Sequence, residues 1–132
     1  MLPLTPILVA GLATMPVGFL WYSPFLFAQP WMQANKIHHM QVKKGPGIFP
    51  LLVSFFSGVL MAFLISVLVH SLNIQTLSDS WKLGLLLWFG FDFVPGWTRH
   101  LFEKRPMELL LINSGHTAAN VLVICLVLFL MR

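Results

Sequence analysis

Residues 90–120 read GFDFVPGWTRHLFEKRPMELLLINSGHTAAN. The stretch lies among strongly apolar runs, yet it holds Asp92, Arg99, His100, Glu103, Lys104, Arg105, Glu108, Asn113, His116 and Asn120. Three of the chain's four carboxylates are among them. Charges inside a membrane-grade sequence are costly, so they mark functional candidates.

The composition supports that reading. The chain has 132 residues, is 58% hydrophobic and only 9% charged. Its mean hydropathy is +0.83. A soluble domain carries roughly 25% charged residues, enough to cover its surface. This chain must instead present its surface to lipid. The net charge of +4 is not gathered into a basic cluster with interleaved polar residues, so nucleic acid is not the expected partner. It reads as a topology signal. The single cysteine, Cys125, lies in an apolar run and offers no disulfide framework. The N-terminus shows no Lys or Arg before a run too long for a cleavable signal.

Four apolar runs follow one another: 4–27, 48–70, 81–101 and 107–131. Each approaches or exceeds the ~20 residues that cross a ~30 Å hydrocarbon core. None alternates with period two, which disfavours a β-barrel. The expected fold is all-α: one domain over 1–132, an integral membrane bundle of four transmembrane helices.

Run one carries Pro6, Pro16 and Pro24, so kinks are expected. Gly11, Thr14 and Gly18 share a face suited to close helix contact. Trp21 and Tyr22 fit an interfacial aromatic belt, and Pro24 disfavours helix at Ser23. In the long first loop, Pro30 suits the first turn of a helix, and Trp31, Ala34, Ile37 and Met40 recur every three residues. A short interfacial helix is expected there, ending before the turn KKGPG, 43–47. Run two sets Ser54, Gly58, Ala62 and Ser66 at spacings of four, a stripe that lets helix backbones approach. Run three places Trp81, Leu85, Trp88 and Asp92 on one face. A helix stopping at Val94 would span about 21 Å, too short to cross. It is therefore expected to continue, kinked at Pro95-Gly96, through Leu101; a broken helix lining a polar cavity is the alternative.

Lys36, Lys43, Lys44, Arg99, Lys104 and Arg105 fall on one side, Lys82 and Arg132 on the other. The excess places both termini outside the cytoplasm.

On run four, Asn113, His116, Thr117 and Asn120 stand at i, i+3, i+4 and i+7, one polar stripe that must avoid lipid. Counting back from a hairpin turn near Glu103–Lys104 brings Asp92 level with His116, about 15 Å above the turn. The same count pairs Arg99 with Glu108. Asp92 and His116 are expected on facing sides, within reach directly or through one water. Such a pair suits a proton relay, since a carboxylate orients a ring that titrates near neutrality. It equally suits a polar contact that glues two helices. Arg105 and Glu103 complete the charges at this end. His38, His39 and His100 match no standard metal spacing, and no metal is expected. His70 reads as an interface residue. No Gly-rich phosphate loop, HExxH or GxSxG occurs, so no cofactor and no enzyme are indicated.

WYSPFLF followed by WM, then GLLLWFGF, then LFEKRPMELLLINSG resembles the family of small bacterial membrane proteins catalogued as domain of unknown function 1761. The blocks fall in order over most of the chain. The resemblance implies a four-helix integral membrane protein without an assigned function. Its pattern falls here on Trp21, Tyr22, Ser23, Pro24, Phe102, Glu103, Arg105, Pro106, Asn113 and Gly115. The sequence departs from it in FDFVPGW, 91–97, and at His116, so Asp92, Pro95 and His116 are particular to this chain.

Two function classes follow. One is a small oligomeric transporter or channel-like protein for a small solute or proton. The other is an accessory or structural subunit that binds a partner membrane protein, or lipid head groups through Lys104 and Arg105.

Overall fold

The computed structural model describes residues 2–37 and 47–132. Every regular element there is helical. In chain order they are α1 (Leu4–Trp21), α2 (Ala28–Asn35), α3 (Ile48–Ser71), α4 (Leu77–Trp88), a π-helical turn (Phe89–Phe93), α5 (Val94–Glu103) and α6 (Met107–Leu130). Three of them, α1, α3 and α6, are long and apolar enough to cross a membrane.

The uninterrupted apolar runs give the cleanest elements. α3 and α6 match runs two and four to within a residue at either end. Run one is shorter than expected: α1 closes at Trp21, not at Phe27. Pro24 explains this, because the residue before a proline is steered out of the helical region. The chain turns through Tyr22–Phe27 and enters α2, with Pro30 in the first turn where its missing N–H costs nothing. α2 ends on a left-handed Lys36, φ 56°. The expected continuation to Met40, and His38, His39, Lys43 and Lys44, lie outside the described residues.

Run three is not broken at Pro95 and continues, as expected, past Leu101. Its helical path is unbroken from Leu77 to Glu103, and the adjustment sits one turn earlier. Val94 N–H donates five residues back, to Phe89 O. A proline ring clashes with the carbonyl four residues before it and cannot donate to it. Opening the turn that contains that carbonyl, Phe91 O, into a π-turn relieves both problems. The N-terminus of α4 is capped by Thr76. Its hydroxyl accepts from Asp79 N–H at 3.1 Å and donates to Asp79 Oδ2 at 2.8 Å. That bond first, and Lys82 second, hold the Asp79 carboxyl below its usual range.

The segments run up and down. α6 is the central post, with α1 on one side and the α4–α5 arm on another, both antiparallel to it, while α3 packs on α1. The main core gathers Ile7 and Ala10 of α1, Ala62 and Ile65 of α3, and Val121, Ile124, Cys125 and Leu128 of α6. It lies at the end of the bundle away from the α5–α6 turn. The outer surface is apolar: Phe49, Phe56 and Leu60 of α3, and Leu86, Phe91 and Leu101 of the third arm are exposed. A lipid environment is the physical reason such a surface is tolerable.

The small-residue stripe packs inside the chain. Gly58, Ala62 and Ser66 are buried, whereas Ser54, the stripe's first member, is exposed. Gly11 and Gly58 bring α1 and α3 together: a Cβ on Gly58 would meet Thr14 Oγ1 and lie 3.0 Å from Gly11 O. Gly18 faces α6 instead, 3.4 Å from His116 Nε2 at its Cβ position.

Candidate functional site

α6 carries polar groups on two faces, and each face meets a different partner. The first face looks at the end of α1. Tyr22 Oη donates to Asn113 Oδ1 at 2.8 Å, and Trp21 Nε1 donates to Ile112 O at 2.9 Å. The Trp21 ring closes over Gly115, where a Cβ would stand 2.9 Å from Cζ2. The His116 ring packs edge-on against Tyr22, centroids 5.1 Å apart, and its Nε2 lies 3.3 Å from Asn120 Nδ2. Trp21 and Tyr22, expected in an interfacial belt, thus spend their N–H and O–H on α6. The WYSP and INSG blocks, about ninety residues apart in sequence, are brought together here.

The second face looks at the third arm. Ser114 Oγ donates to Asp92 Oδ2 at 2.7 Å. Trp88 Nε1 donates to Ser114 O at 2.7 Å and to Ser114 Oγ at 3.1 Å. Farther along, Trp81 Nε1 donates to Leu122 O at 3.0 Å. The run-three face carrying Trp81, Trp88 and Asp92 is therefore the face that grips α6. Leu85, assigned to the same face, is partly exposed.

The expected Asp92–His116 pair is not formed. Asp92 takes Ser114, and His116 takes Asn120. Ser114 and His116 are two residues apart, about 200° around the helix, so they face opposite ways. The depth count holds to within one turn; the face does not. Arg99 and Glu108 form no ion pair either: the ion pairs among the described residues are Lys82–Asp79 at 3.0 Å and Arg105–Glu103 at 3.1 Å. Glu108 is exposed at the start of α6. Thr117 donates weakly to Asn113 O within its own helix, at 3.4 Å.

Between α5 and α6 lies a polar cleft of about 330 Å³. Asp92, Arg99, His100, Glu103 and Arg105 line one wall, Asn113, Ser114 and Thr117 the other, with Gly96 and Leu110 between. Positions 92, 96, 99 and 103 share a face of the third arm, and 110, 113, 114 and 117 share a face of α6. His100 is 9% exposed. Its Nδ1 lies 2.8 Å from Gly96 O, while its Nε2 is buried with no hydrogen-bond partner among the described residues. Asn120 Oδ1, on the other face of α6, is likewise buried and unpartnered. A smaller recess of about 160 Å³ at the opposite end is lined by Ser66, His70, Thr76, Ser80 and Arg132 among others. His70 there bonds Ser66 O of its own helix at 2.8 Å and is exposed.

Of the residues named from sequence, Asp92, Arg99, Glu103, Arg105, Asn113 and Thr117 line the cleft, and His116, Asn120 and Glu108 do not. Sequence reasoning placed Trp88 on the Asp92 face without a partner, and it missed Ser114 and the role of His100. The signal for Trp88 was present, four residues before Asp92 on the same face. Ser114 had no signal of its own, because a serine in an apolar helix is an ordinary small residue.

Compared with known proteins, residues 5–129 match a family model described as "Protein of unknown function (DUF1761)". Neither the curated proteins nor the solved structures contain a match.

Proposed function

We propose that this chain, which belongs to the DUF1761 family of proteins of unknown function, is a four-span protein of a bacterial inner membrane that admits a small polar solute or a proton. The cleft between α5 and α6 carries this reading. It gathers charged and hydrogen-bonding side chains at the end of a bundle whose outer surface is apolar. Lipid cannot satisfy such groups, so water or a solute must. The unbroken helical run from Leu77 to Glu103 supports a fourth crossing: at ~1.5 Å per residue it is longer than the ~30 Å hydrocarbon core. A bundle this narrow encloses little, so a complete path requires a second copy beside the cleft, and the working form is a homo-oligomer.

Proteoliposomes containing a pH-sensitive dye test the reading. Under an imposed potential, proton entry should exceed that of protein-free vesicles, or one of a panel of small amines, acids and zwitterions should cross. Ser114→Ala should reduce the flux severalfold. If neither protons nor the panel cross, transport is excluded. The polar seam would then serve a partner protein, which should co-purify in fixed stoichiometry.

The Lys/Arg bias places the cleft at the cytoplasmic side, with both termini outside. In a Cys125→Ala background, a cysteine at Asn35 should react with an impermeant thiol reagent only from the cytoplasmic side. One at Asn73 should react only from outside. The opposite pattern reverses the orientation.

A further inference from the structure

We propose that the cleft between α5 and α6 is a bipolar binding site, for a group that carries an N–H-bearing ammonium at one end and a carboxylate or phosphate at the other. The inference rests on the reading of the cleft as a solute site and names the chemistry that site recognises.

The anion end is Arg99. All four carboxylates of the chain, Asp79, Asp92, Glu103 and Glu108, lie among the described residues. None is within ion-pair distance of its guanidinium. Its fork of donors matches a carboxylate or phosphate oxygen pair. The guanidinium folds back along α5, its Nη2 4.0 Å from the place a Cβ would take on Gly96. That brings it within about one turn, ~6 Å along the axis, of Asp92.

The cation end is Asp92. Ser114 satisfies Asp92 Oδ2, and Oδ1 receives no protein donor among the described residues. For His100, the Gly96 carbonyl can only accept, so Nδ1 carries the hydrogen. The neutral ring then offers Nε2 as an acceptor. This atom is buried and unpartnered, a costly state unless a donor arrives. An ammonium supplies a donor to Asp92 Oδ1; His100 Nε2, eight residues on and about 12 Å farther along the axis, is a second acceptor in the same cleft.

Charge balance decides between ligand classes. Glu103 and Arg105 neutralise each other at 3.1 Å. One positive and one negative group remain in the cleft. A simple anion would meet Asp92, and a simple cation would meet Arg99. Only a zwitterion, its charges a few bonds apart, is matched at both ends. A free amino-acid-like solute and an ethanolamine phospholipid headgroup both have this chemistry.

Titration calorimetry on the detergent-solubilised full chain separates the cases. The probes are 4-aminobutyrate and phosphoethanolamine, with butyrate, butylamine and phosphocholine as controls. Nanodiscs of phosphatidylethanolamine and of phosphatidylcholine extend the comparison to lipid, read as melting temperature. A zwitterion with N–H donors should bind and the controls should not. Arg99→Gln and Asp92→Asn should each weaken binding about tenfold or more. Arg99→Gln removes an exposed, unpaired side chain, so its ligand-free melting temperature should equal that of the parent. Binding of 4-aminobutyrate alone identifies a free solute. Binding of phosphoethanolamine, with stabilisation in phosphatidylethanolamine discs, identifies the headgroup. Equal binding of the singly charged controls, or binding of none of the probes, overturns the inference. Proton flux without zwitterion binding overturns it while leaving the transport reading standing; zwitterion binding without flux does the reverse.

Discussion

Gly58→Leu is expected to cost about 3 kcal/mol or more, at the upper end of what overpacking does in a well-packed core. The measurement is thermal unfolding of the purified chain in detergent. The size follows from what surrounds the glycine. Its Cβ position runs into Thr14 Oγ1 and lies 3.0 Å from Gly11 O. From the other side, a Cβ on Gly11 would lie 2.8 Å from both the Cα and the N of Val59. Two backbones are therefore in contact, and a backbone cannot swing aside as a side chain does. Nor can Thr14 rotate away freely, because its hydroxyl donates to Gly11 O at 2.7 Å. Gly58→Ala should do less damage, and Thr14→Ala added to it should recover part of the loss by vacating the space Oγ1 fills. Because both partners lie in one chain, the loss should be independent of protein concentration. If Gly58→Leu keeps the parent's melting temperature, the α1–α3 crossing is wrong.

What could be read from the sequence divides along a physical line. Long uninterrupted apolar runs fix helices by length alone, which is why α3 and α6 are placed so closely. The end of α1 was harder. WYSPFLF stays apolar past the helix, and an indole N–H suits a headgroup region as well as a neighbouring carbonyl. Trp21 takes the carbonyl. The site shows the same division more sharply. A hairpin count fixes depth through the rise per residue, but it fixes nothing about rotation around the axis. Asp92 and the polar stretch of α6 were correctly put near one level. The partner was assigned to His116, and the structure gives Ser114. Ser114 and His116 stand about 200° apart around α6, so a pairing level with both of them turns on the rotation that the count leaves open. Arg99 and Glu108, paired by the same count, form no ion pair, and both are exposed. The stripe itself was legible. Asn113, His116, Thr117 and Asn120 are all at least partly withdrawn from the surface, because lipid offers them nothing.

Asp92 and Ser114 should behave as a coupled pair in a double-mutant cycle, and Asp92 and His116 should not. The Ser114 hydroxyl donates to Asp92 Oδ2 at 2.7 Å, a short bond to a partly buried carboxyl. Hydrogen bonds to charged groups contribute about 1.5–3 kcal/mol, so a coupling near that size is expected between Asp92→Asn and Ser114→Ala. Trp88 sharpens the experiment. Its indole N–H also reaches the Ser114 carbonyl, at 2.7 Å, a bond that survives Ser114→Ala. The loss on removing the hydroxyl should therefore fall mainly on Asp92, and it should shrink once Asp92 is asparagine, whose uncharged Oδ1 is the weaker acceptor. His116 sits on the opposite face of α6 against Gly18, Trp21 and Tyr22. It shares no partner with Asp92, so Asp92→Asn and His116→Gln should add to within about 0.5 kcal/mol. Additivity at Asp92/Ser114, or strong coupling at Asp92/His116, would mean that the third arm meets α6 with its other face. The cleft would then lose the carboxylate on which its cation end depends.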